Sequence, residues 1–582
     1  MTETIAKSAP GGPYGSVTYR RFLGRGKGFW IQGAVFIVVV FLVVGAIFPI
    51  IYQSFIDRPL YEAGQHFTLQ NYVRLFEDAG FWLVAFNSFA FAVMTTVIAL
   101  VIAVISAIVI VRTRVPLRGL MDACLLLPTY ISPLVLAFSW VYIYGPAGYA
   151  TLFVQSMVGA TPWNLYTLVG MAVTESVALV PIGYLYCSGA MHQLDSSLES
   201  AARTCGAGPW TVLRRVILPM IRPPVLYAAL LIFSTSLETL SIPLLYGGPV
   251  NIELFASFIY TKGLLDPHPD IGLLGAASVL VLCVMAVLVV IQYFALKNGK
   301  RFISVRGKAA RRSTLNLGAI RWLGFAFVAL YLLLGPVLPM LGLVVRAFTQ
   351  VLTPLIAPYK VLTLGNFLTI FSVEQYVDSI WYSVVIALVG GVATTLLATL
   401  VVLTTKRSRF VLAGPLEFVA LAPQVVPGII LGLGFFWMFA LVPGMRVLNG
   451  TLIGLMIAFG IRAFPMAFGA IAPIVMQIGT ELDAAARTIG ADWWCTFRRV
   501  LLRMLVPGLY ASFVLLFVQM VKEFTPAIFL GSADNQVIGT TMLQMWLNGN
   551  TGPVAALSLM QILICVLFVV VAKKVLKVNA NE

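Results

Sequence analysis

Charge is what this chain has least of. Only 10% of its 582 residues are Asp, Glu, Lys or Arg, 60% are hydrophobic, and mean hydropathy is +0.96. Soluble domains carry roughly 25% charged residues, so that class is excluded. Histidine is scarce as well. His66, His192 and His268 are scattered and pair with no Cys or carboxylate at ligand spacing, which argues against a metal site. The six cysteines (Cys124, Cys187, Cys205, Cys283, Cys495 and Cys565) fall in apolar stretches or basic loops and imply no disulfide framework. A phosphate-binding G-x-x-x-x-G-K-[ST] loop is missing, because Gly24-Arg25-Gly26-Lys27-Gly28 lacks both the spacing and the hydroxyl. The clustered His, Cys or paired carboxylates that a membrane enzyme needs near one face are also missing. The expectation is a chain with no enzymatic activity and no cofactor of its own.

Long apolar runs are what fill the space. Ile31–Ile51 is uncharged over 21 residues, and about 20 apolar residues span a bilayer core as a helix. Spans are expected near 30–52, 85–111, 119–144, 164–189, 223–246 and 272–296, then near 321–345, 380–405, 411–440, 452–477, 506–531 and 554–572. The fold class is therefore all-α integral membrane, with about twelve transmembrane helices in two halves of six. The expected organisation is a tail over 1–29, half one over 30–296, a linker over 297–320, half two over 321–572 and a tail over 573–582. The apolar run after residue 29 exceeds a signal-peptide core of 7–15 residues, so it reads as an uncleaved first span.

The formal net charge of +16 would suggest nucleic acid in a soluble protein. Here the basic residues flank the spans. Eight of them, Lys297 to Arg321, sit in or beside the linker with no acidic residue among them; further clusters are Arg20, Arg21, Arg25 and Lys27, then Arg112, Arg114 and Arg118, then Lys406, Arg407 and Arg409, then Lys573, Lys574 and Lys577. Cytoplasmic loops collect Lys and Arg. A cytoplasmic N-terminus puts every one of these clusters inside, together with the C-terminus. The bilayer, not nucleic acid, is the partner that this charge implies.

The sequence also repeats. Thr68-Leu69-Gln70-Asn71 recurs as Thr363-Leu364-Gly365-Asn366, an offset of 295 that also pairs Phe76 with Phe371, Ser88 with Ser383, Asp122 with Glu417 and Pro128 with Pro423. Beyond the fourth span the offset becomes 284. It pairs Pro181 with Pro465, Trp210 with Trp494 and Pro223 with Pro507. An even number of spans per half makes the repeats parallel, related by an axis along the membrane normal, and two such halves enclose a pathway.

The most informative repeat lies between the fourth and fifth spans. Leu198-Glu199-Ser200-Ala201-Ala202-Arg203-Thr204-Cys205-Gly206-Ala207 is matched by Leu482-Asp483-Ala484-Ala485-Ala486-Arg487-Thr488-Ile489-Gly490-Ala491. Alanine favours a helix, and a glycine at its end can take the left-handed conformation that turns the chain back. The pair resembles the cytoplasmic loop of bacterial ABC importer permeases: Glu-Ala-Ala, three residues, Gly, nine residues, Ile-x-Leu-Pro. Ala201, Ala202, Gly206, Leu218 and Pro219 match in half one, with Val216 at the Ile position. Ala485, Ala486, Gly490 and Leu502 match in half two. The Glu position holds Ser200 and Ala484, with an acid one residue earlier at Glu199 and Asp483, and Arg503 replaces the closing Pro.

The resemblance implies that each loop docks on a separate ATPase subunit, so two copies of it, and that a periplasmic binding protein delivers the substrate. It also implies a bacterial inner membrane location. The Pro-containing third spans (Pro128 and Pro133; Pro423, Pro427 and Gly428) look like the iron(III), thiamine and polyamine subgroup, so iron(III) is the expected cargo, with thiamine, polyamine or a small phosphonate as alternatives. Ionisable residues within spans are costly and mark functional sites. Glu175, Glu238, Arg462, Lys522 and Glu523 are the candidates, as pathway lining or as ion pairs between halves; the repeat sets Glu238 opposite Lys522. A secondary transporter also has about twelve spans in two halves, but would have no use for the twinned loops.

Overall fold

The computed structural model describes residues 27–194, 196–299, 318–354, 356–408, 410–479, 481, 482, 485, 488, 490 and 497–579. Among them, nine helices are long and apolar enough to cross a membrane: Trp30–Ser54, Ala79–Arg112, Leu168–Gln193, Ile271–Gln292, Ile320–Ala347, Glu374–Arg407, Leu452–Gln477, Arg498–Lys522 and Thr551–Lys574. Three further spans are bent pairs. The third is Arg118–Tyr130 with Pro133–Val158, bent by 110°; the fifth is Pro209–Met220 with Arg222–Glu238, bent by 59°; the ninth is Ala413–Gln424 with Gly428–Leu441, bent by 113°.

The breaks follow from proline. Pro128 sits in a 3-10 turn, Leu127–Tyr130, and Pro133 opens the next helix at a position where its missing N–H costs nothing. Pro423 lies in the equivalent turn of half two, and Pro427 directly precedes the helix that starts at Gly428. The proline-containing spans expected near 119–144 and 411–440 are elbows, whose freed backbone carbonyls need other partners.

Packing shows that the elbows still cross. Along the eighth and tenth spans, Gly390 faces Met456, Gly460 faces Thr394, the Lys406 ammonium lies 5.9 Å over the Phe468 ring, and the Arg407 guanidinium donates to the Ile478 carbonyl. These contacts run in the same order on both helices, so the two are parallel and the chain between them crosses once. Half one repeats the arrangement, with Gly183 against Ala103 and Arg112 beside Glu199. With each bent pair counted as one span, the described residues hold up to twelve crossings.

Residues related by the repeat do the same work. The Asn71 side chain donates to the carbonyls of Ser54 (3.1 Å) and Ile56 (2.8 Å), and Asn366 donates to those of Ala347 (2.9 Å) and Thr349 (3.0 Å), in each case closing the end of the half's first span. Ser88 Oγ accepts the Phe255 N–H, and Ser383 Oγ accepts that of Ile538. Buried backbone donors must find partners, and each half solves the problem with the same side chain.

The halves exchange their first spans. Gly434 on the ninth span packs so tightly against the first that a Cβ there would stand 2.0 Å from the Ala46 carbonyl oxygen. Reciprocally, a Cβ on Gly342 of the seventh span would stand 2.4 Å from Ile143 of the third, while Trp140 and Tyr144 donate to the carbonyls of Gly335 and Leu334. One buried apolar core runs through both halves.

Candidate functional site

The loop after the fourth span forms a nine-residue helix, Ser196–Thr204. Its end is a Schellman turn: the Gly206 N–H bonds to the Arg203 carbonyl at 2.9 Å and the Ala207 N–H to that of Ala202 at 3.0 Å. Gly206 has φ +84° and Gly490 has φ +80°, and among the described residues nothing lies within 4 Å of where a Cβ would stand on either. Both glycines are there for backbone conformation alone.

Leu198 and Ala201 are exposed, whereas Ala202 packs inward on the small cluster of Val212, Leu213 and Ile217. Glu199 also turns inward. Its Oε1 lies 2.8 Å from Nη1 of Arg112, with the two side chains 3% and 5% exposed. One residue is about 100° around a helix, so an acid one place before the motif's Glu position points away from the exposed face. In half two, Ala485 is exposed, while Asp483 and Ala486 lie outside the described residues.

The intramembrane charges come together between the halves. Arg462 Nη2 on the tenth span and Glu238 Oε2 at the end of the fifth helix are 2.8 Å apart, 18% and 17% exposed. Arg462 Nη1 also donates to the Val426 carbonyl at 2.9 Å, inside the elbow of the ninth span. Glu523 lies within electrostatic reach of both Arg462 and Glu238. Its Oε1 accepts the N–H groups of Phe524 (3.2 Å) and Thr525 (3.1 Å) and the Thr525 hydroxyl. Glu175, 1% exposed, accepts from Thr239 Oγ1 at 3.2 Å, one residue past Glu238.

Lys522 completes the pattern from the other side. Its Nζ reaches the Thr129 carbonyl at 2.5 Å, in the elbow of the third span. The fifth span of each half thus ends in a charge that serves the other half's elbow: Lys522 directly, Glu238 through Arg462. Charged groups at membrane depth that keep partial exposure and sit between helices face an internal space rather than lipid.

Two features escaped the sequence reading. Arg112 was counted only as one of the basic residues setting orientation, although Arg112 and Arg407 fall at the same repeat position, offset 295, which was the available signal. The elbow carbonyls of Thr129 and Val426 had no signal beyond their prolines. Among the described residues, no three or more His, Cys, Asp or Glu converge as metal ligands.

Comparison with known proteins agrees with this duplicated architecture. The profile described as binding-protein-dependent transport system inner membrane component matches twice, over residues 99–301 and 399–577. Similar relatives include a putative ferric transport system permease protein of Haemophilus influenzae, 27% identical over 71% of this chain and 64% of its own length. Another is a ferric transport system permease protein of Actinobacillus pleuropneumoniae, 25% identical over 77% of this chain and 64% of its own length. The chain thus spans somewhat less than two thirds of these two relatives. A thiamine transport system permease protein of Escherichia coli K12 is 22% identical over 87% of this chain and 91% of its own length. This chain belongs to the family of binding-protein-dependent transport system inner membrane components and carries its domain twice.

Proposed function

We propose that this chain carries both permease halves of an ATP-driven importer, with half one over 30–296 and half two over 321–572. Two copies of an ABC ATPase dock on its two loop helices, through the faces that carry Ala201 and Ala485, and a periplasmic binding protein delivers the substrate from the other side. Both termini and the basic linker are cytoplasmic in this reading, which the Lys and Arg clusters flanking the spans support. ATP is hydrolysed by the partner, since the chain has no phosphate-binding loop. The observation that carries this reading is the twinned Ala-Ala-x3-Gly loop, with left-handed Gly206 and Gly490 at its two ends.

The pathway runs between the halves, past Glu175, Glu238, Arg462, Lys522 and Glu523. Opening it separates the fifth span of each half from the other half's elbow. An ion pair about 4 Å apart in an effective dielectric near 20 is worth about 4 kcal/mol before desolvation is subtracted. Shifting a two-state equilibrium from 1:99 to 99:1 takes about 5.5 kcal/mol of differential binding. Closure of two ATPase subunits on the loop helices need therefore supply no more than an ordinary protein interface does.

Iron(III) is the proposed cargo, supported by the ferric relatives. The cluster itself does not choose, since Glu175, Glu238 and Glu523 suit a cation while Arg462 and Lys522 suit an anion, and a chelated or partly neutralised ferric species crosses a low-dielectric constriction more readily than a bare ion. Thiamine is the second reading, favoured by the greater share of the thiamine relative that the chain covers. Growth of a deletion strain under iron limitation, with labelled ferric and labelled thiamine uptake measured side by side, separates the two. Loss of ferric uptake alone is expected; unchanged ferric uptake in a strain with no second iron importer removes iron.

A further inference from the structure

The coupling loop of half one is joined by the chain to the fourth and fifth spans only, yet the partner of its buried Glu199 belongs to the second span. Glu199 lies midway along the loop helix, and Arg112 is the last residue of the second span, in a five-residue π-helical turn, Ile108–Arg112. Such turns shift the register of a helix locally and recur at functional positions; this one delivers the guanidinium to the loop helix. Nη1 of Arg112 is 2.8 Å from Glu199 Oε1, and among the described residues Nε and Nη2 have no hydrogen-bond partner. Nearby, Ile108 of the same turn packs on the cluster formed by Val212, Leu213 and Ile217, which also receives Ala202. The loop helix is therefore fastened to the end of the second span by a buried ion pair and an apolar patch side by side.

We infer that Arg112 and Glu199 form a latch that makes the loop helix move with the second span, so Glu199 is a positioning residue working inward rather than a contact to the ATPase. The inference rests on the importer reading above. Three considerations support it. A pair 3% and 5% exposed is not available to a docking partner. A buried charge is tolerated only while its partner is present, so the pair stays closed through the cycle. The sequence keeps both members in the second half as well, Arg407 at the offset of 295 and Asp483 at that of 284, although each acid is one residue away from the family's Glu position.

The test uses the full complex of this chain with its ATPase in proteoliposomes. Glu199→Gln, Arg112→Gln and the double variant are compared for ATP hydrolysis. Each single change should lower the rate about tenfold or more, because it strands a buried charge, and the double variant should be no worse than either. Multiplying losses in the double variant would mean independent roles and overturn the latch. A motion readout separates a mechanical link from mere stability. Spin labels on exposed Cys205 and on Arg114→Cys, with the other cysteines replaced, should keep one separation with and without ATP in the otherwise native chain and lose that constancy in Glu199→Gln. A separation that changes with ATP in the native chain refutes the latch. If the native chain recruits no ATPase at all, the importer reading itself fails first.

Discussion

Arg462 on the tenth span and Glu238 at the end of the fifth lie 2.8 Å apart across the boundary between the halves. The same guanidinium holds the Val426 carbonyl in the ninth span's elbow, and Lys522, the repeat counterpart of Glu238, reaches the Thr129 carbonyl in the third. The break in the third span is thus capped directly by a residue of the other half, and the break in the ninth by Arg462 of its own half, which Glu238 of the other half holds in place.

Removing one member of the pair should be worse than removing both. Arg462→Ala leaves Glu238 with a charge and no cation, and frees the Val426 carbonyl, at a cost of about 3 kcal/mol. A double variant, Arg462→Gln with Glu238→Gln, should recover most of that. Thermal unfolding of the purified chain in detergent checks it. Equal loss in the single and double variants would show that the ion pair does not matter there.

The tight crossing at Gly434 should be intolerant of the smallest change. A methyl group would stand 2.0 Å from the backbone oxygen of Ala46, which cannot swing aside as a side chain can. Gly434→Ala should cost about 1–3 kcal/mol through overpacking. An unfolding midpoint unchanged by this substitution would mean that the first span does not lie where the structure has it.

Gly206 should behave differently. Nothing lies within 4 Å of its Cβ position, so Gly206→Ala meets no clash and costs about 1 kcal/mol from its φ of +84° alone. Global stability should hardly move, while hydrogen exchange in Ser196–Thr204 speeds up and ATP hydrolysis in the complex falls. Unaltered exchange and hydrolysis would argue against a need for the Schellman turn.

How much of this was legible in the chain follows from which residues carry it. Most span positions were readable because apolar length is a local property, although the fifth and eleventh spans, expected near 223–246 and 506–531, end at Glu238 and Lys522; the repeat was readable because Asn71 and Asn366, or Ser88 and Ser383, must make the same bonds. The left-handed glycines were readable for the same reason: a helix stop has a local signature. The five charges were found by their cost in a membrane, but their pairing was not, since nothing local links residue 238 to residue 462. Glu199 shows the same boundary. Its shift by one residue was visible in sequence; its partner Arg112, 87 positions away, became evident only from the packing.

Orientation can be tested by labelling. Asp270 pairs with Arg74 at the surface, the side chains being 43% and 49% exposed, and its Oδ1 accepts the Leu273 N–H at 3.0 Å as the cap of the sixth span, so Asp270→Cys should cost about 1 kcal/mol, mostly from the lost cap. In a cysteine-free background, Asp270→Cys should react with a membrane-impermeant thiol reagent from the periplasm and Ser313→Cys only from the cytoplasm. Labelling of Ser313→Cys from outside would reverse the topology.

The central claim is that transport through this chain is driven by ATP on a separate subunit. Proteoliposomes holding the chain with its ATPase, the binding protein and labelled ferric ion outside, and ATP on the ATPase side, test it directly. The account predicts accumulation that requires ATP and the ATPase together and that is insensitive to collapse of the proton and sodium gradients. Accumulation by the chain alone, driven by an ion gradient, would contradict it.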